Sequence, residues 1–409
     1  MPTSTSLSFR SWLILLASFC ILTVSFSFGL FSLPVFYPVL VKQFGWNRAS
    51  VAGGGSIALL LIGTFSPVVG WLVDRYKPRA VLIAGTCAVA AALLLLSTAT
   101  TLGAFYSFCF LLGLGGSAAS ILPNSILIAP LFAKGRGSAV GFINAGIGLG
   151  GFLAPLLANG QIQKGGYSAA FWYLAMWMAL PLALTLLFVR NPETIVPIRH
   201  STSLRAPATA ELFRMPMFWV FGMGIFFAAH AMLAIQQHLV LYLTGQGVAS
   251  RRAALALSIV LLATAAGKLL NGFLADRFSA RLGMIVAVIC VGLGIATLLA
   301  IAPASDLIFV FSVIFGLGYG GIFNVSPTIV FEYFGTHQVG AVLGWFLVFF
   351  GLGTSSGGLL AGYIVDRTHN YATPFTLDLA VAGAALLLLM MSGKLTRAVP
   401  PAAAVRLAA

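Results

Sequence analysis

The chain has 409 residues, of which 60% are hydrophobic and only 7% charged, with a formal net charge of +14. So few charges cannot solvate a soluble surface, and lipid is therefore the expected solvent for most of the chain. The Lys and Arg sit between apolar runs rather than in a patch or stripe, which argues against a nucleic-acid partner.

The first apolar run follows Arg10 and extends from Trp12 to Leu30. It is too long for a signal peptide and lacks a clear small-residue cleavage site, so it reads as a spanning helix. A helix needs about 20 apolar residues to cross the hydrocarbon. Twelve segments qualify: 11–39, 51–72, 80–101, 103–131, 138–160, 169–189, 217–245, 253–275, 282–302, 305–332, 339–364 and 373–394. Pro34, Pro38, Pro123 and Pro327 can kink the longer ones. The longest polar connection, 191–215, contains Pro192, Pro197 and Pro207 and reads as a cytoplasmic linker. It divides an N-terminal six-helix bundle, 1–190, from a C-terminal one, 216–409, with a short tail. Cys20, Cys87, Cys109 and Cys290 lie in apolar runs without metal-ligand spacing and read as small core residues.

The basic residues set the orientation. With the N-terminus inside, cytoplasmic segments hold fifteen Lys and Arg and outer segments six, leaving Lys268 within a span. Both termini are therefore expected in the cytoplasm, in an inner or plasma membrane.

The two halves repeat. Gly70-Trp71-Leu72-Val73-Asp74-Arg75-Tyr76-Lys77-Pro78-Arg79 recurs 202 residues later as Gly272-Phe273-Leu274-Ala275-Asp276-Arg277-Phe278-Ser279-Ala280-Arg281. Gly113, Gly115 and Pro123 of span four match Gly316, Gly318 and Pro327 of span ten, and Gly137 and Gly141 match Gly340 and Gly344. One offset of 203 or 204 through these spans indicates parallel six-helix repeats.

These features resemble the major facilitator superfamily, whose signature is the motif with Gly70, Asp74, Arg75 and Arg79. Phe44-Gly45-Trp46-Asn47-Arg48, then Gln237-His238-Leu239-Val240-Leu241-Tyr242-Leu243 with Gly247, and Lys268 four residues before Gly272, resemble the monocarboxylate transporter and oxalate–formate antiporter branch. The resemblance implies an all-α membrane protein of twelve helices in two pseudo-symmetric bundles, moving a small organic anion by alternating access. That branch usually has Arg where Lys268 stands. Its animal members carry an Asp where this chain has Thr264, and oxalate–formate antiporters add a Lys in span eleven that is missing from Ala341–Ile364.

Lys268 is the sharpest candidate. Eight residues separate it from Asp276, roughly 12 Å of helix at 1.5 Å per residue. That depth is near the middle of the core, where a Lys costs at least ~2.5–3.5 kcal/mol and needs a partner or a watery cavity. Thr264, Lys268 and Asn271 share one helix face. The functional reading is an anion-binding cation, and the structural alternative is a Lys that snorkels to the interface or pairs for stability.

His230, Gln237 and His238 of span seven are candidate pathway or gate residues, and either His is a candidate proton carrier. Ser120 and Asn124 of span four, and Tyr319 and Asn324 of span ten, can hydrogen-bond a carboxylate, although such groups often bond their own backbone. Asp378 is expected near the outer interface, with a buried carboxyl that exchanges protons or pairs with Lys268 as the alternative. Asp74, Arg75 and Arg79, with Asp276, Arg277 and Arg281, read as gating residues that hold the halves in one state. Substrate, protons or a counter-anion, and the bilayer are the expected partners. No cofactor or metal is expected, and a monomer should suffice.

No G-x-x-x-x-G-K-[ST] loop supports an ATP-driven pump. Neither H-x-x-x-H nor paired intramembrane acids support a membrane enzyme. A drug or metabolite exporter is the rival within the same fold, and a receptor of this fold is the further alternative.

Overall fold

The computed structural model describes residues 9–128, 131–132, 136–189, 213–302, 305–334 and 339–397. For 136–138, 276, 323–334, 339–341, 343–344 and 393–397 it describes the backbone alone. The expected linker lies almost wholly outside the described residues.

The described residues form twelve helices that run alternately up and down. We name them α1 (Phe9–Phe44), α2 (48–76), α3 (78–96), α4 (Leu102–Ile128), α5 (136–165) and α6 (167–188) in the first half. The second half has α7 (Pro216–Gly245), α8 (Ser250–Arg277), α9 (Ala280–Ala300), α10 (Leu307–Phe334), α11 (Val339–Thr368) and α12 (Ala372–Arg397). Nine helical segments among the described residues are long and apolar enough to cross a membrane. The remaining helices come from two shorter apolar segments, Arg48–Thr64 and Leu307–Ile322, and from a sharp turn inside Ala139–Phe188.

Two such turns are legible in the backbone. Lys77 has φ +68° between α2 and α3, and Gly166 has φ +77° between α5 and α6. Glycine adopts that conformation freely, whereas at Lys77 it is strained for a side chain with a Cβ.

Local chemistry explains the other ends. Gly45 closes α1 in the left-handed region, its N–H bonding the Val41 carbonyl, and Asn47 then caps α2 by accepting from the Ser50 N–H at 2.8 Å. Phe44-Gly45-Trp46-Asn47-Arg48 is thus a stop followed by a start. Ser279 starts α9 in the same way, accepting from the Leu282 N–H at 3.1 Å. Within α1, residues Ile21–Phe26 form a π-helical stretch, and the Ser27 hydroxyl donates to the Leu22 carbonyl at 2.8 Å.

The two hairpins, at Lys77 and Ser279, lie at one end of the molecule, which we call the hairpin end. Each hairpin is tied to the last helix of its own half. Arg79 Nη2 donates to the Leu186 carbonyl on α6 at 2.9 Å. Arg281 donates to the Leu389 and Met390 carbonyls on α12 at 3.2 and 2.6 Å. Arg79 and Arg281 are 202 residues apart and Leu186 and Leu389 are 203 apart, so the repeat extends to individual hydrogen bonds.

Candidate functional site

The two halves meet along α2 with α11, α5 with α8, and α1 with α7. Small residues allow the approach: a Cβ on Gly362 would lie 2.5 Å from Ala49 Cα, and one on Gly151 would lie 3.0 Å from Leu261 Cβ. The contacts concentrate at the end opposite the hairpins. There the Asp366 carboxylate on α11 accepts from the backbone N–H groups of Arg48 (2.9 Å) and Ala49 (2.8 Å), the first of α2. In the mirrored place, Gln163 on α5 donates to the Ser250 hydroxyl at the start of α8, at 3.1 Å. Arg48 also lies over the Tyr371 ring, 5.8 Å from its centroid. At the hairpin end, Asp74, Arg75 and Lys77 are exposed. There Arg79 and Arg281 donate to carbonyls of their own halves.

Lys268 is on α8, on the hairpin side of this seam. Leu261 packs on Gly151 and Ala265 on Gly148. Because α5 and α8 run antiparallel, the next step toward the hairpin end brings Lys268 level with Asn144. Asn144 Oδ1 is buried and has no hydrogen-bond partner among the described residues. Lys268 itself is half-buried. Of its face companions, Thr264 and Asn271 are buried against α10, where Gly320 and Gly321 come so close that no larger residue fits. Their polar groups are turned onto their own helix: Thr264 Oγ1 donates to the Leu261 carbonyl at 2.6 Å and Asn271 Nδ2 to the Gly267 carbonyl at 2.9 Å.

Adjacent glutamines of α7 serve different neighbours. Tyr37 of α1 donates its hydroxyl to Gln237 Oε1 at 2.6 Å, a bond between the halves. Tyr319 of α10 donates to Gln236 Oε1 at 3.1 Å. Gln237 Nε2 is buried without a partner among the described residues. Next to Gln237, His238 is wholly buried, its Nε2 bonding the Gly358 carbonyl at 2.8 Å and its Nδ1 near the Tyr371 hydroxyl at 3.4 Å. His238 therefore lies behind the closed end, beside the Arg48–Tyr371 contact.

His230 is also buried, with Nδ1 2.9 Å from Ser356 Oγ on α11 and Nε2 3.5 Å from Asp378 Oδ1 on α12. For Asp378 the buried alternative holds and the interfacial expectation does not: it is 2% exposed, because α12 packs its polar side onto α7, and it faces His230 and not Lys268. In the first half, Asn124 Nδ2 donates to the Ser120 and Ala119 carbonyls, at 2.8 and 3.3 Å, across the break in α4. Its Oδ1 is left without a partner among the described residues. Arg277 is exposed, near the Phe278 ring. The side chains of Asp276 and Asn324 lie outside the described residues. No group of His, Cys, Asp and Glu suited to a metal occurs among the described residues.

Asp366, Arg48 and Tyr371 were not singled out from sequence, although a signal existed. Gly362-Tyr363-Ile364-Val365-Asp366-Arg367 is a third copy of G-x-x-x-D-R, at the far end of α11.

The profile of the Major Facilitator Superfamily matches residues 19–257 and 246–407. Monocarboxylate transporter 13 of Rattus norvegicus is 29% identical over 92% of this chain and 86% of its own length. The agnestins efflux protein AgnL12 of Paecilomyces divaricatus is 25% identical over 89% of this chain and 83% of its own. A crystal structure of the nucleoside transporter NupG shares the fold with a TM-score of 0.74 at 15% identity, covering 95% of this chain and 99% of that one.

Proposed function

The chain belongs to the major facilitator superfamily, and on that premise we propose that it carries a small organic anion, a monocarboxylate, across the cytoplasmic membrane by alternating access. It works as a monomer with both termini in the cytoplasm and without a cofactor. Residues 1–190 and 216–409 are the rocking halves, joined by 191–215.

The observation that carries the reading is Lys268. It is the only Lys or Arg in the interior of an expected span, Lys394 being the last residue of span twelve. It lies at the seam between the halves, level with an unsatisfied Asn144 oxygen. A cation there attracts a carboxylate strongly, because the surroundings screen little. The tyrosines and Gln237 on the far side supply hydroxyl and amide groups for the rest of the substrate. The bond between Tyr37 and Gln237 then separates substrate from the Arg48–Asp366 end, which acts as the outer gate. Asp74 and Asp276 serve the opposite gate, engaging when the hairpin end closes. The likeness to a monocarboxylate transporter over most of both chains supports this substrate class.

A second reading, export of an amphipathic metabolite, is favoured by the likeness to the agnestins efflux protein. Uptake of a labelled panel into proteoliposomes separates the two. Saturable carboxylate uptake supports the first reading. Transport of neutral amphipathic compounds, with no carboxylate uptake, supports the second.

A further inference from the structure

The His230–Asp378 contact is remote from the hairpins and uses groups that anion binding at Lys268 does not require. Its hydrogen-bond pattern defines what it can hold. The Ser356 hydroxyl donates to the Gly353 carbonyl one turn back on α11, at 3.0 Å. With the Ser356 hydrogen on that carbonyl, its oxygen accepts from His230 Nδ1 at 2.9 Å, which assigns the Nδ1–H tautomer. The neutral ring thereby has its lone pair on Nε2, which faces Asp378 Oδ1 at 3.5 Å.

Two lone pairs cannot bond each other. With one proton between Nε2 and Oδ1, the contact is either N–H⁺ to carboxylate or O–H to imidazole, and the site is neutral overall. Without that proton, a carboxylate is left buried with no positive partner among the described residues. His230 is 6% and Asp378 2% exposed, and Asp378 Oδ2 has no hydrogen-bond partner among the described residues. A bare carboxylate in such surroundings is strongly disfavoured. Around α7 and α12, the other titratable groups include His238 and Tyr242 on α7 itself, Tyr37 on α1, Arg48 on α2, Lys268 on α8, Arg281 on α9, Tyr319 on α10, Asp366 on α11 and Tyr371 before α12. Tyr37, Tyr319 and His238 bond elsewhere, as does Asp366, and none forms an ion pair with either member among the described residues.

We propose that His230, Asp378 and Ser356 form a binding site for a single proton, separate from Lys268. The site joins three helices of the second half, α7, α11 and α12. Helix α7 also carries Gln237, which reaches Tyr37 across the seam. Proton loss places a net negative charge between α7 and α12 and loosens their contact, so the site senses the proton gradient through the helix that bridges both halves. This coupling role rests on the organic-anion reading, whereas the proton site itself does not.

The test counts protons. Purified wild type and Asp378→Asn, each monodisperse in detergent, are titrated with acid from about pH 10 to about pH 4. Asp378→Asn should take up one proton fewer per chain, because the Asn amide donates to Nε2 directly and no proton is needed. Asp378→Ser serves as the second variant and should give the same deficit. Equal proton uptake by the wild type and either folded variant would overturn the site. The count needs no substrate, so it judges the site independently of the anion reading. In proteoliposomes with labelled pyruvate, an inward proton gradient should accelerate uptake by the wild type and not by Asp378→Asn. Equal acceleration of both would overturn the coupling role.

Discussion

Asp366 and Gln163 occupy equivalent positions in the two halves, 203 residues apart, and each reaches the first turn of a helix in the opposite half. The equivalence is of place, not of charge. Asp366 presents a carboxylate to the N–H groups that open α2, where the helix dipole favours negative charge. Gln163 offers only an amide to Ser250. The closed end is thus held more firmly on the α2–α11 side.

That asymmetry predicts unequal substitutions. Asp366→Ala removes a cap between halves worth about 1 kcal/mol, which shifts the open–closed balance at this end roughly fivefold. Gln163→Ala should shift it less. Labelling rates of a Cys introduced at Ser56, which lies behind the gate, report the balance. Equal effects of the two substitutions would contradict the assigned asymmetry.

The hairpin arginines predict a stability effect. Arg79→Ala and Arg281→Ala each remove charge-assisted bonds to carbonyls of α6 and α12. Both side chains are partly exposed, so the loss in each is at the lower end, about 1 kcal/mol. The sites are in different halves with no shared partner, so the double variant should lose the sum. Thermal unfolding in detergent measures this. A double variant as stable as either single one would contradict it.

Much of this was legible in the sequence. The duplicated hairpins, the glycine offsets and the spans followed from spacing alone, because lipid forces long apolar helices and close packing forces small residues. Lys268 was visible because an intramembrane charge is costly. Side-chain partners were less legible. Thr264 and Asn271 share a helical face with Lys268, yet Gly320 and Gly321 of α10 determine what that face touches. Likewise Asp378, early in its span, meets His230 only because of the way α12 packs on α7. Such pairings depend on interhelical rotation, which periodicity within one helix does not specify.

Substrate charge is a further consequence. One Lys neutralises one carboxylate, while a second carboxylate would remain desolvated. Monocarboxylates should therefore compete for uptake better than dicarboxylates of similar size at pH 7.5. Competition by a dicarboxylate that appears only at pH 5.5 would point to a protonated histidine as the second base. Equal competition at pH 7.5 would contradict a single-cation site.

Lys268 is the centre of the account, and carboxylate uptake into proteoliposomes by the wild type, Lys268→Ala and Lys268→Arg tests it most directly. Loss of a charge-assisted contact of about 1.5–3 kcal/mol should weaken apparent affinity by roughly 10–150-fold in Lys268→Ala. Lys268→Arg should retain part of the activity, because the charge remains while donor geometry changes. Wild-type carboxylate uptake by a well-folded Lys268→Ala protein would contradict the account.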